Sequence, residues 1–157
     1  MNEAMNNLLT RRSVRKYSDT RIPDEVLDQI LEAGLYAPTG MNRQNVVMVA
    51  VQDTQTRDLL SRLNAAVMGA DHDPFYGAPA ILIVLAKKDS PHKIYDGSLI
   101  MGNMMLAADA LGLGTCWIHR AKEEFETEEG KQILRDLGIT EEYEGIGHLA
   151  LGWPDCP

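Results

Sequence analysis

The spacing of apolar and polar positions divides the chain into helices and strands in regular succession. Met5, Leu8 and Leu9 recur at helical spacing over residues 3–11, and the segment ends at a basic run where a helix gives way to a turn. Pro23 stands where a first helical turn tolerates it, and Val26, Leu27, Ile30, Leu31 and Leu35 then give a second helix one apolar face. Pro38 and Gly40 open a loop, APTGMNRQN, of mostly small or amide-bearing side chains. VVMVAV (46–51) predicts a buried strand, because β-branched residues dominate and the run is too short for a core helix. An amphipathic helix over 54–68, carrying Leu59, Leu60, Leu63 and Val67, precedes the loop GADHDPFYGAP and a second buried strand, AILIVLA (80–86). Residues 94–112 are apolar nearly all round and predict a central helix with little solvent contact. LGTCWI reads as a short strand, TEEGKQILRDLG as a helix started by Thr127 and stopped by Gly138, and IGHLALGW as a final strand. Alternation of this kind, taken alone, suggests a parallel α/β sheet. No strand is followed at once by G-x-G-x-x-G opening a helix, and GLGT (112–115), after a helix and before a strand, reads as a helix cap and turn.

Composition narrows the class. The 157 residues fit one domain, and 45% hydrophobic and 24% charged residues are ordinary for a globular protein. A net charge of −8 opposes general nucleic-acid binding. Two cysteines, Cys116 and Cys156, form neither a disulfide framework nor a zinc spacing, which favours a reducing cytoplasm. MNEAMNNLL lacks the basic lead and apolar core of a secretory leader, and no continuous apolar 18-mer predicts a membrane span.

Against this acidic background RRSVRKY (11–17) concentrates Arg11, Arg12, Arg15 and Lys16 around Ser13. An arginine fork suits a terminal phosphate bidentately, and a serine hydroxyl adds a hydrogen bond. The alternative is a solvated positive patch closing a helix C-terminus. These side chains cannot all face solvent from one strand or helix face, and a guanidinium turned inward needs a partner. Other signals carry less: Asp71, His72 and Asp73 are consecutive and diverge, so they read as a solvated loop and no metal is expected. KEEFETEEGK reads as an exposed helical start, and Ser90, Ser98 and His119 lack a nucleophile-elbow context.

RRSVRKY, APTGMNRQN, FYGAPAILIV, LAADALGLGTCWI and LALGWP, in that order over nearly the whole chain, resemble the nitroreductase family of FMN-dependent oxidoreductases, in its shorter bacterial branch. The resemblance implies an α+β fold with a mostly antiparallel central sheet flanked by helices, in an intertwined homodimer with two FMN sites at the interface. It implies that Arg11, Arg12 and Ser13 hold the FMN phosphate and ribityl chain, and that Arg15 reaches the pyrimidine edge, where a cation stabilises charge developing on reduction. Pro38, Thr39, Gly40, Asn42 and Gln44 would lie against the flavin, several of them from the other subunit. Asn64 falls near the family's pyrimidine-edge asparagine, although an exposed helix position fits it equally. Trp117 and Ile118 would pack on the ring, with the backbone N–H of His119 or its neighbour at N5, and no obligatory side-chain acid is needed. The implied reaction is ping-pong hydride transfer from NAD(P)H to a nitroaromatic, quinone or similar acceptor. Another flavin-dependent reaction on the same fold, such as dehalogenation or oxidation, and a non-enzymatic flavin-binding or redox-sensing role share these motifs. The chain departs from the family in having Asn45 and Val46 after the glutamine and in ending at DCP without the usual basic tail.

Overall fold

A computed structural model describes residues 1–156. Strands β1 (Val46–Val51), β2 (Ala80–Lys87), β3 (Gly114–Ile118) and β4 (Tyr143–Gly152) form one sheet in the order β1-β2-β4-β3. Every neighbouring pair is antiparallel, as the resemblance implies and the bare alternation of elements does not. The cause of the ambiguity is visible in β2. Ala80, Leu82, Val84 and Ala86 enter the core shared with helices α2 (Asp24–Leu35) and α4 (Lys93–Ala110). Ile81, Ile83 and Leu85 enter the opposite core with α3 (Thr54–Met68), α5 (Ala121–Glu124) and α6 (Glu128–Asp136). Helices cover both faces, so β2 is a continuous apolar run, the signature usually left by a parallel strand.

Three helical expectations change. Leu35 is 66% exposed and Val67 also lies outside the core. The central helix α4 buries Ile100, Met101, Met104 and Ala108 but leaves Ile94, Tyr95 and Leu99 at 59%, 70% and 49% exposure, because none of the described residues covers that face. The acidic run 122–131 is not simply exposed: it splits into α5 and the start of α6, and Glu124 is completely buried.

Local caps follow the sequence. Asp53 accepts from Thr56 N at 2.9 Å to start α3, and Thr127 Oγ1 accepts from Gly130 N at 3.0 Å to start α6. The final strand begins at Tyr143, earlier than the pattern predicts, and a bulge sets Ile146 between the pairs Val84–Gly147 and Leu85–Gly145. Among the described residues no helix is long and apolar enough to cross a membrane.

Candidate functional site

Helix α1 (Glu3–Thr10) delivers the basic run. Asn2 Oδ1 caps its start by accepting from Met5 N at 2.9 Å. Asn7 Nδ2 fastens it to α4, donating to Leu106 O at 3.2 Å and Asp109 Oδ2 at 2.7 Å. Arg12 then closes the helix, its Nη1 donating to the carbonyls of Leu9 at 3.0 Å and Arg11 at 2.9 Å, where the helix dipole favours a cation.

Beyond α1 the chain runs extended along the free edge of β3. Val14 N donates to Thr115 O at 2.9 Å, and Ser13 bridges Thr115 in parallel. Gly114 permits this approach, since a Cβ there would stand 2.6 Å from the Val14 side chain. Tyr17 pairs with Pro154, and Asp155 N donates to Lys16 O at 2.9 Å. The Tyr17 hydroxyl donates to Val14 O, and burial pushes its pKa well above the usual tyrosine range.

Arg11 differs from Arg12. Its Nη1 is buried with no hydrogen-bond partner. Among the described residues, none of Arg11, Arg12, Arg15 and Lys16 pairs with a carboxylate. An unsatisfied buried donor costs about 1–3 kcal/mol, more when charged, and an anionic oxygen would remove that cost. Ser13 and Arg15 are exposed, and the Arg15 guanidinium lies 5.9 Å from the centre of the Tyr76 ring.

The same strand carries the other end of the site. From Thr115 to His119 is four residues, about 13 Å at the usual strand rise of ~3.3 Å per residue. Trp117 is half-buried, Ile118 buried and His119 exposed. A cavity of about 150 Å³ opens there, lined by Ile94, Ser98, Trp117, His119, Gly145 and Ile146 among others. A larger open groove of about 490 Å³, near Asp19, Arg21 and Asp58, includes none of the predicted site residues.

The loop containing Pro38, Thr39, Gly40, Asn42 and Gln44 is strained and tightly held. Met41, Asn42 and Gln44 have φ of 55°, 53° and 54°, left-handed values uncommon for side-chain-bearing residues and concentrated at functional sites. Gln44 N donates to Thr39 Oγ1 at 3.1 Å, and Gln44 Nε2 donates to Asn42 Oδ1 at 3.0 Å. Gly40 N donates to the buried Asp96 Oδ1 at 2.8 Å, and a Cβ on Gly40 would stand 2.4 Å from the His92 ring. These anchors hold the loop at the N-terminal end of α4, whereas α1 is fastened near its C-terminal end. Asp96 and Asp109 are thirteen residues apart, about 20 Å along the axis at ~1.5 Å per residue. The structure thus gathers Arg11, Arg12, Ser13, Trp117 and His119 along β3, turns Ile118 into the opposite core with Leu60 and Phe125 and so away from Trp117, and leaves the loop apart from the basic run. Asn45 and Val46, the departures beside Gln44, open β1, with Asn45 O accepting from Lys87 N at 3.0 Å.

Asn64 is completely buried, and both ends of its amide are occupied. Nδ2 donates to His119 O at 2.9 Å and Glu124 Oε2 at 2.8 Å, while Oδ1 accepts from Arg120 Nε at 2.9 Å. Glu124 Oε2 also meets His148 Nε2 at 2.5 Å, between the rings of Phe75 and Phe125. Sequence reasoning missed Glu124, His148 and Arg120. Glu124 stands in an acidic run, where exposure is the default, and only the isolated polar His148 in an apolar strand hinted at a partner.

Asp73 of the DHD segment caps its own loop. It accepts from Ser61 Oγ at 2.7 Å, Phe75 N at 2.9 Å and Gly77 N at 2.8 Å, and pairs with Arg57 at 2.5 Å. Burial would raise its pKa, but the bonds from Arg57, Ser61 and the two amides outweigh it and hold the carboxyl below the usual aspartate value.

An α+β fold with a guanidinium-lined edge strand defines the class, and sequence comparison names it. A sequence profile described as the Nitroreductase family matches residues 8–71 and 69–153. The chain belongs to the nitroreductase family. It is 32% identical over 158 residues to an Archaeoglobus fulgidus protein provisionally named NADH dehydrogenase/NAD(P)H nitroreductase, covering 98% of this chain and 87% of that one. An NAD(P)H FMN reductase of Bacillus subtilis is 31% identical over 132 residues, 73% of this chain and 53% of the relative. Among solved structures, a Bacteroides fragilis nitroreductase with bound FMN superposes with a TM-score of 0.90 at 32% identity, covering 98% of this chain and 89% of that one.

Proposed function

We propose that the protein binds FMN and works as an NAD(P)H-dependent oxidoreductase, in a homodimer with two sites at its interface. Arg11 carries the reading: a buried, unpaired guanidinium donor beside an exposed serine, at the head of a strand whose other end opens a cavity. The FMN bound by the Bacteroides fragilis relative and the names of the other two relatives support it. When bound, FMN would supply the redox chemistry: hydride transfer from NAD(P)H to a nitroaromatic, quinone or similar acceptor in a ping-pong cycle.

The chain's own residues bind and orient. Arg11 and Ser13 grip the phosphate, joined by the Arg12 N–H groups that helix capping leaves unused, since a guanidinium carries five donors. Arg15 brings fixed positive charge to the pyrimidine edge. Trp117 would floor the ring, Ile118 being turned into the opposite core, and a peptide N–H of His119 or its neighbour would meet N5, so the exposed imidazole is not required as an acid.

The strained loop serves the other subunit's site, which its distance from the basic run within one protomer favours. Met5, Leu8 and Leu9 of α1 and Ile94, Tyr95 and Leu99 of α4 are large apolar side chains left exposed on one protomer, and a second copy would cover them. Anaerobic stopped-flow mixing with NADPH or NADH tests the activity. A flavin absorption band that bleaches on mixing is the expected result. A colourless protein that ignores added FMN, or bound flavin that stays oxidised, ends the reading.

A further inference from the structure

We propose that Glu124, His148 and Asn64 are positioning residues: a buried polar clamp that holds the left-handed turn at Arg120, and through it the peptide groups of His119 and Arg120 that would face flavin N5. The inference rests on the FMN reading above and concerns what sets its geometry. Arg120 has φ of 74°, a conformation that a residue with a side chain seldom adopts unless its surroundings impose it. The surroundings here are specific. Asn64, from α3, binds the carbonyl of His119 through Nδ2 at 2.9 Å and the side chain of Arg120 through Oδ1 at 2.9 Å. It thereby holds both sides of the turned peptide.

Asn64 is held in turn. Its Nδ2 also donates to Glu124 Oε2 at 2.8 Å, and the same oxygen meets His148 Nε2 at 2.5 Å. All three side chains are completely buried, and Phe75 and Phe125 enclose the imidazole at centroid distances of 5.3 Å and 5.9 Å. The clamp joins three elements, since Asn64 stands in α3, Glu124 in α5 and His148 in β4, and they converge on one turn at the end of β3. The main chain continues the restraint, with Glu124 N donating to Arg120 O at 3.0 Å.

Stability alone does not account for the cluster. Glu124 Oε1 and His148 Nδ1 are buried without hydrogen-bond partners, and a buried polar group left half-satisfied is worse for stability than an apolar side chain of the same volume. What the polar atoms provide and an apolar core would not is direction: a fixed acceptor for Asn64, so that its amide presents one donor and one acceptor to the turn. Side chains that line a reacting site keep their geometry only when a supporting shell locks them, and here the supporting shell locks main chain.

The test compares Glu124→Leu, which removes both bonds, with Glu124→Gln, whose amide oxygen in the place of Oε2 can still accept from Asn64 Nδ2 and from an N–H at His148 Nε2. Asn64→Leu repeats the break from the α3 side if the first variant does not fold. Two readouts are used: amide hydrogen exchange at residues 119–121 in the FMN-free protein, and the FMN midpoint potential in the loaded protein. The leucine variants are expected to speed exchange at these amides about tenfold, the scale of losing one hydrogen bond, and to shift the potential. The glutamine variant is expected to restore both toward wild type. Wild-type exchange and potential in a folded leucine variant would overturn the clamp, as would a glutamine variant behaving like leucine. If wild-type protein binds no FMN, the flavin reading fails by itself, and the exchange arm still decides whether the clamp holds the turn.

Discussion

Arg11 buries its Nη1 where none of the described residues accepts from it, and that has opposite consequences in the presence and absence of ligand. Under the proposed role, removing the guanidinium takes from the FMN phosphate a charged hydrogen bond worth about 1.5–3 kcal/mol, so Arg11→Met should raise the dissociation constant roughly 10- to 100-fold by fluorescence titration. In the FMN-free protein the same change deletes an unsatisfied buried donor, and melting should occur at the same temperature or higher. A residue present only to close α1 would show the reverse, with stability lost and binding untouched. Arg12 is the residue with that capping role, and Arg12→Ala should lower apoprotein stability as well as FMN affinity. The cationic cluster was legible from sequence because four cations in a chain of net charge −8 stand out. The division of labour between Arg11 and Arg12 was not, because it depends on which guanidinium turns inward where α1 ends. Asn64 shows the same limit. A short amide on an amphipathic helix does not reveal whether it meets solvent, a ligand or, as here, the carbonyl of His119.

At the scale of elements, caps and apolar faces predicted most helices and strands because they are local, while strand direction and pairing are not. β2 lies between two helical layers, so its residues are uniformly apolar and carry no sign of which neighbour runs antiparallel. The extended segment 13–17 escaped prediction for a related reason: its pairing partners, Thr115 and Pro154, are distant in sequence. The loop between α3 and β2 supplies an element-scale test. Asp73 ties Arg57 and Ser61 of α3 to the amides of Phe75 and Gly77, and these bonds hold its carboxyl below the ordinary value of 3.8. A depressed carboxyl contributes stability that is fully present above the unfolded-state value and is lost as pH falls through the folded-state one. Asp73→Asn should therefore cost about 1–3 kcal/mol in urea unfolding at pH 7, and the difference from wild type should shrink once pH drops below about 4. A difference independent of pH would place the effect in loop packing instead of the carboxylate.

For the whole molecule, the proposed dimer follows from a separation within one protomer. The basic run and Trp117 lie along β3, whereas the strained loop from Pro38 to Gln44 is pinned to the far end of α4 by Asp96. Beside them α1 buries none of its side chains, and α4 leaves Ile94, Tyr95 and Leu99 uncovered. A second copy that covers the apolar surface would also carry its loop to the first copy's β3, so association and cofactor binding become one equilibrium. Binding that occurs only in the dimer must, by linkage, favour the dimer. A charge placed in the apolar surface away from every proposed FMN contact tests this, and Leu8→Glu or Tyr95→Glu does so from two helices. Either variant should sediment as a monomer at concentrations where the wild type is dimeric, and excess FMN should shift it back toward the dimer. FMN affinity in the monomeric variant should fall by at least about tenfold although Arg11, Arg12 and Ser13 are intact, the loss of a single good hydrogen bond being enough for that. A stable monomer that binds FMN as tightly as wild type would show that β3 and the basic run suffice, and the loop's left-handed residues would then need another purpose.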